Sequence, residues 1–196
     1  MDSKNLFFTS DTHFGHKRIP EFCPHTRPQG VTPEEMDEIM IQRWNLVVPK
    51  NGTIFNLGDV TFHRDYEKLA NILRRLNGQK HIILGNHDEL VIENRQRLLD
   101  DGLVQSIRDY HEIRVEGHKV NLFHFPMAVW NKNHHGAFQL YGHCHGSFKA
   151  VGKQMDVGWD TLDLGTPFVD HIPGPISWQQ VYDCLSKRER VIQDHH

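Results

Sequence analysis

Residues 81–88 read His81-Ile82-Ile83-Leu84-Gly85-Asn86-His87-Asp88: a short apolar run fit for a buried strand, then a glycine turn carrying an amide, an imidazole and a carboxylate. The same arrangement occurs twice upstream. Leu6-Phe7-Phe8-Thr9 is followed by Asp11 and His13, and Thr53-Ile54-Phe55-Asn56-Leu57 by Gly58-Asp59. Unbroken apolar runs of this length suit strands covered on both faces. Helical patterns lie between them. Thr32 to Glu35 forms a capping box with Pro33 at the first helical position, opening a helix to about Val47 with Met36, Ile39, Met40 and Trp44 on one face. Asp65 caps a second helix, with Leu69, Ile72, Leu73 and Leu76 inward and Gly78 past its end, and a third spans Glu89 to Leu99. Strands alternating with helices predict a β-α-β-α first half with a mostly parallel sheet.

The second half changes pattern. Residues 110–115 and 119–123 alternate apolar and polar around Glu116-Gly117, which predicts a hairpin, and residues 138–141 and 154–157 read as further strands. Ser177 to Gln180 is another capping box, opening a last helix to about Lys187. Proline and glycine at 20–33 and 165–175 predict surface loops. Asp156, Asp160, Asp163, Asp170 and His171 punctuate the segment from Val157 to Ile176, which either shapes substrate access or is a surface insertion.

The 196 residues balance 22 Lys and Arg against 25 Asp and Glu, a net charge of -3, which argues against an extended basic track for duplex nucleic acid. Three scattered cysteines, Cys23, Cys144 and Cys184, make no disulfide framework or C-x-x-C site. With no apolar stretch of membrane-spanning length, a soluble, cytoplasmic protein is expected, a monomer or small homo-oligomer. Histidine is abundant at 16 residues.

Position explains part of that abundance. Asp11 and His13 follow the first strand, Asp59 the second, Asn86, His87 and Asp88 the third, His124 the hairpin, and Gly142-His143-Cys144-His145 the next strand. Ligands in open α/β sheets bind beyond the carboxyl ends of the strands, so these groups can converge at one rim. Imidazole mixed with carboxylate suits Zn, Mn, Fe, Co or Ni better than Ca or Mg. Asp11-x-His13 and His143-x-His145 set alternate residues on one side of an extended chain, so each pair can reach one centre. Taken singly, Asp11-x-His13 also fits a helix cap and Gly58-Asp59 an ordinary turn; five such groups in order at successive strand ends do not.

The ordered set Asp11-x-His13, Gly58-Asp59, Gly85-Asn86-His87-Asp88, His124 and Gly142-His143-x-His145 resembles the five signature motifs of the calcineurin-like metallophosphoesterase superfamily. Ser10-Asp11-Thr12-His13-Phe14-Gly15-His16 and Phe123-His124-Phe125-Pro126-Met127 are similar to its small single-domain bacterial and phage phosphoesterases. The resemblance implies an α/β fold, a four-layer α/β/β/α sandwich of two mixed sheets flanked by helices, as one domain over residues 1–196. It also implies two divalent metal ions, one held by Asp11, His13 and His145, the other by Asn86, His124 and His143, with Asp59 and a hydroxide bridging them. Manganese is the first expectation, with zinc, iron, nickel or cobalt as alternatives. His87 is then the general acid, with Asp88 as the partner that holds its ring. His16, Arg18, His63 and Arg64 are candidate substrate contacts, and Lys17, Arg27 and Lys132 could add phosphate contacts. Cys144 should point away from the centre as a structural thiol, and Trp44, Trp130 and Trp178 should pack in the core or an interface.

The expected reaction is metal-dependent hydrolysis of a phosphodiester by metal-bound hydroxide, on a small phosphate ester or nucleotide, with single-stranded nucleic acid less favoured. Competing readings are a phosphomonoesterase acting on a small ester or phosphoprotein, and a non-catalytic protein-binding scaffold on the same fold.

Overall fold

The computed structural model describes residues 3–161 and 173–191; Asp163, Asp170, His171 and most of the 165–175 loop lie outside them. In chain order the elements are β1 (Leu6–Thr9), α1 (Ile19–Phe22), α2 (Pro33–Val47), β2 (Thr53–Asn56), α3 (Tyr66–Arg75), β3 (Gln79–Ile83), α4 (Glu89–Glu93), α5 (Arg95–Asp100), β4 (Ser106–Arg108), β5 (Tyr110–Val115), β6 (His118–Phe123), β7 (Phe138–Tyr141), β8 (Gln154–Asp156), β9 (Ile176–Ser177) and α6 (Trp178–Leu185). They build two mixed sheets flanked by helices, as expected. The first has the order β4-β3-β2-β1-β9, parallel except for β9; the second has the order β5-β6-β7-β8, parallel except for the β5-β6 hairpin.

Two hydrophobic cores explain the unbroken apolar strands. Phe7, Ile54 and Ile82 face α2 and α3, meeting Met36, Met40, Trp44, Leu69 and Leu73. Their neighbours Leu6, Phe8, Phe55 and Ile83 turn the other way, onto Val120, Leu122, Phe138, Leu140 and Met155 of the second sheet, with Trp178, Val181 and Leu185 of α6 joining the same cluster. Phe8 is wholly buried, and truncating it to alanine should cost about 3–5 kcal/mol. On the second sheet's other face, Asn121 and Gln139 carry the chain after β6: Asn121 donates to the Asn131 carbonyl at 3.3 Å and Gln139 to that of Phe125 at 3.3 Å.

The helices start as their caps dictate. Thr32 Oγ1 accepts from Glu35 N while the Glu35 carboxylate accepts from Thr32 N, and Asp65 accepts from the amides of Glu67 and Lys68. Three details differ from the sequence reading. The inward stripe of α2 uses Ile41 in place of Ile39. The expected helix from Glu89 to Leu99 breaks into α4 and α5 at Asn94, whose side-chain amide donates back to the Leu90 carbonyl at 2.9 Å. The last helix ends at Leu185. Trp44, Trp130 and Trp178 are buried, as their expected packing roles require. Among the described residues no helix is long and apolar enough to cross a membrane.

The sheets meet at their carboxyl edges. β1, β2 and β3 are parallel and in register, so their three following loops leave on the same side. Past β8, Trp159 N donates to the Ser10 carbonyl at 2.8 Å, joining the second sheet's exit to the first loop.

Candidate metal centre

The loops after β1 and β2 run side by side: Asp11 N donates to Gly58 O at 2.9 Å, His13 N to Asp59 O at 3.0 Å and Phe14 N to Val60 O at 3.1 Å. From the second sheet, Gly142 N donates to His124 O at 2.8 Å, and His143 N points at both oxygens of Asp11, at 3.0 and 2.9 Å. A Cβ on Gly85 would collide with Asp59 Oδ1, and one on Gly142 with Asp11 Oδ2. Only glycine leaves room for those carboxylates.

The expected extended geometry of the two His pairs is not what brings them together. Asp11, His13, Asp59, His143 and His145 all sit in the left-handed region, at φ of 53°, 49°, 55°, 68° and 47°. Each such residue costs about 1–2 kcal/mol, and the backbone bonds above hold them there. The side chains converge because the chain coils at each strand end.

Two sets of donor atoms result. His13 Nε2 stands 3.3 Å from His145 Nε2 and 3.8 Å from Asp11 Oδ1, and His145 Nε2 is 3.9 Å from the same oxygen. On the other side, His124 Nε2 is 3.1 Å from Asn86 Oδ1, which is 2.9 Å from His143 Nδ1. Asp59 lies between: Oδ2 is 3.8 Å from His13 Nε2, and Oδ1 is 3.6 Å from His124 Nε2. Ligand atoms about 2.1 Å from one metal stand roughly 3.0–3.4 Å apart, so sub-ångström adjustments close both sets around an ion. Among the described residues the buried His13 Nδ1 atom has no hydrogen-bond partner, and the ring packs against those of His145 and Phe62, each at 5.1 Å. This donor set fits divalent metal.

The electrostatics agree. Burial, together with the nearby charges of Asp156 and Asp59, pushes the Asp11 carboxyl up to about 8 despite the opposing pull of His145. Burial, then the charges of His145 and Arg27, takes His13 down to about 2, so it stays a neutral, lone-pair-bearing imidazole. Burial likewise lowers His124. A pocket that crowds carboxylates beside neutral imidazoles is stabilised by cations.

Hydrogen bonds behind two of the candidate ligands, His124 and His145, select the nitrogen each presents. His124 Nδ1 donates to the Leu57 carbonyl at 2.7 Å, leaving Nε2 for the centre. His145 Nδ1 donates to Asp160 Oδ2 at 2.8 Å. Asp160 is gripped by Arg27, through Nε to Oδ1 and Nη2 to Oδ2, both at 2.7 Å, and by Thr26 Oγ1 at 2.6 Å. Burial works to raise the Asp160 carboxyl, yet the bonds from His145 and Arg27 hold it far below the usual carboxylate range. Burial also lowers His145, but Asp160, the Cys23 thiol and the charge of Asp11 carry it up to about 10 in the metal-free protein.

Arg27 therefore is no phosphate contact. It is buried, and beyond Asp160 it donates to the carbonyls of Asp11 at 2.6 Å and Thr12 at 2.9 Å. Cys23 Sγ lies 3.7 Å from His145 Nδ1, beside the candidate ligands. Cys144 is half-buried, its thiol raised to about 11 by burial and then by Asp156 and Asp11.

Other expected positions divide. His87 lies exposed at the rim; its N–H donates to Asp59 Oδ1 at 2.8 Å and its ring is 6.2 Å from that of His13. Asp88 does not hold the His87 ring. Its oxygens accept from the amides of Asp59, Val60 and Gly85 at 2.8–2.9 Å, so it ties the second loop to the third. His16 packs edge-on against Phe62 at 4.1 Å, within 5.8 Å of His13, at the mouth of the centre. Arg18 is exposed and paired with Glu21 at 3.0 Å. His63 is committed to Asp37, Nε2 to Oδ2 at 2.8 Å, and so is not free for phosphate. Arg64 lines a cavity of about 420 Å³ that also touches Phe62, His87 and Leu90.

Two facing sheets with a polar, cation-seeking centre at their carboxyl edges make this a two-sheet α/β fold with a candidate metal site. The chain belongs to the calcineurin-like phosphoesterase family, whose model matches residues 4–192. It is 30% identical to an uncharacterised protein of Methanocaldococcus jannaschii over 146 residues, 74% of this chain and 72% of that one. It is also 30% identical over 183 residues to the gene 66 protein of Mycobacterium phage L5, covering 80% of this chain and 86% of the phage protein. Among solved structures, a protein of unknown function from Aquifex aeolicus shares the fold, with a TM-score of 0.64 and 22% identity over 91% of this chain and 97% of that one. The family defines a phosphoesterase that uses divalent metal and acts on a phosphate ester.

Proposed function

We propose that the chain acts as one domain and is a dinuclear metal phosphodiesterase. The observation that carries the dinuclear reading is the placement of Asp59, whose two oxygens face two separate sets of nitrogen ligands, His13 on one side and His124 on the other. Asp11, His13 and His145 would hold one ion, Asn86, His124 and His143 the second, and manganese suits their mixed N and O donors. Two bound divalent ions supply a hydroxide nucleophile near neutral pH and neutralise charge on the phosphoryl oxygens.

The protein's own groups do the rest. Asp11 and Asp59 fix the spacing of the two sets through their backbone bonds, and Arg27 locks the first loop from beneath. His87, exposed at the rim and fixed through its own amide to Asp59, is placed to give a proton to a leaving alkoxide. A diester is preferred because the rim residues His87 and His143 are exposed among the described residues, which leaves room there for a second ester arm, and because His87 helps most with a poor leaving group. The free cysteines are compatible with a cytoplasmic setting.

The test is turnover of nitrophenyl phosphate against bis-nitrophenyl phosphate after chelation and add-back of Mn, Zn, Ni, Co and Mg. Faster hydrolysis of the bis-ester supports the diester reading. Preference for the monoester favours a phosphatase, and no hydrolysis of either by metal-loaded protein favours a non-catalytic scaffold.

A further inference from the structure

The residue that stands out beyond the ligand set is Asp160. It lies on the chain leaving β8, in the acidic segment that the sequence reads as shaping substrate access or as a surface insertion. It is buried, and its carboxylate bonds to Thr26 and Arg27 on one side and to His145 on the other. We propose that Asp160 is a positioning residue which, clamped by Arg27, fixes His145 as an Nε2 ligand and thereby sets the affinity of the first metal position over the second. This assignment rests on the two-metal reading above.

Geometry carries it. An imidazole offers one nitrogen to a metal only if the other is held as an N–H donor, and a carboxylate at 2.8 Å from Nδ1 does that for His145 while making Nε2 a better donor. The carboxylate cannot turn away, because the Arg27 fork engages both its oxygens and Thr26 Oγ1 adds a third bond. The same guanidinium donates to the carbonyls of Asp11 and Thr12, so one buried cation registers the two ligand-bearing loops, 11–13 and 143–145, against each other. Among the described residues the second position has no such carboxylate behind His143, which is exposed and meets Asn86 through Nδ1. His145, Cys23 and Asp160 could themselves suggest a further cation site, but Arg27 on both Asp160 oxygens opposes a cation there.

The experiment titrates Mn²⁺ into chelator-stripped, full-length protein by calorimetry, with folding followed by circular dichroism. Wild type should take up two ions. Asp160→Asn should weaken one of them by about 10–100-fold and leave the other within about threefold. In a His145→Ala background the same substitution should change Mn²⁺ affinity by less than about threefold, since the residue it acts through is gone. Folded Asp160→Asn with wild-type affinities overturns the assignment, and so does an equal loss with and without His145, which would mark a general structural effect. If Asp160→Asn does not fold, Asp160→Glu keeps the charge opposite Arg27 while displacing the carboxylate from Nδ1, and it faces the same criteria. A wild-type chain that binds fewer than two Mn²⁺ ions overturns the two-metal reading itself, a result separable from these because it appears before any substitution.

Discussion

Asp88 Oδ2 accepts the backbone N–H of Asp59 at 2.9 Å, so a carboxylate on the loop after β3 holds the bridging candidate on the loop after β2. The same side chain also accepts from Val60 and Gly85. Asp88→Ala leaves three amides without their acceptor in a buried place and should cost about 2–5 kcal/mol of stability. Urea unfolding of the metal-free protein measures this, and a loss below about 1 kcal/mol would show that water replaces the carboxylate without difficulty.

His87 should behave differently from Asp88. His87→Ala removes an exposed ring that contributes no ligand atom, so metal content should stay at the wild-type level. Turnover should fall by about 10²–10⁴ for esters with poor leaving groups and much less for nitrophenyl esters. Rates across a series of leaving groups decide it. A uniform loss over the series would count against a proton donor at this position.

Stability of the metal-free protein should fall as pH rises from about 6.5 toward 10. The folded values of Asp11, about 8, and His145, about 10, lie above their ordinary ones, so each contributes stability that is present at low pH and lost as pH rises through those values. His13 and His124 are depressed, and their contribution is lost only as pH falls below about 6.5, so they do not mask the trend in this window. Because Mn²⁺ must displace the protons of Asp11 and His145, the rise in melting temperature on adding it should be larger at pH 8.5 than at 6.5. Thermal melts at both pH values, with and without Mn²⁺, measure it; equal shifts would show that these two groups are not ligands.

How much of this was legible in the sequence follows from the range of each interaction. Strand-end placement of Asp11, Asp59, Asn86, His124 and His143 could be read directly, because each motif is local and follows an apolar run. Asp160 could not, since its partners Arg27 and Thr26 lie more than a hundred residues away and all three types are ordinary in loops. A shorter gap of 26 residues, from the loop after β2 back to α2, hid the pairing of His63 with Asp37, which withdraws a histidine that looked free beside the Gly58-Asp59 turn. Asp88 was assigned to its sequence neighbour His87, whereas its bonds run to the backbone of three other residues. The left-handed backbone at five ligand candidates was also invisible, as it arises from hydrogen bonds between loops and not from local preference.

If Asp59 joins two metal ions, as proposed, counting the metal in Asp59→Asn reveals it. Chelated wild-type and variant protein are reloaded with Mn²⁺, freed of excess, and assayed for ions per chain alongside bis-nitrophenyl phosphate hydrolysis. Wild type should carry two ions and be active, and the variant should carry fewer than two with activity lowered at least a hundredfold. Two ions per chain with undiminished hydrolysis in Asp59→Asn would contradict the bridging role.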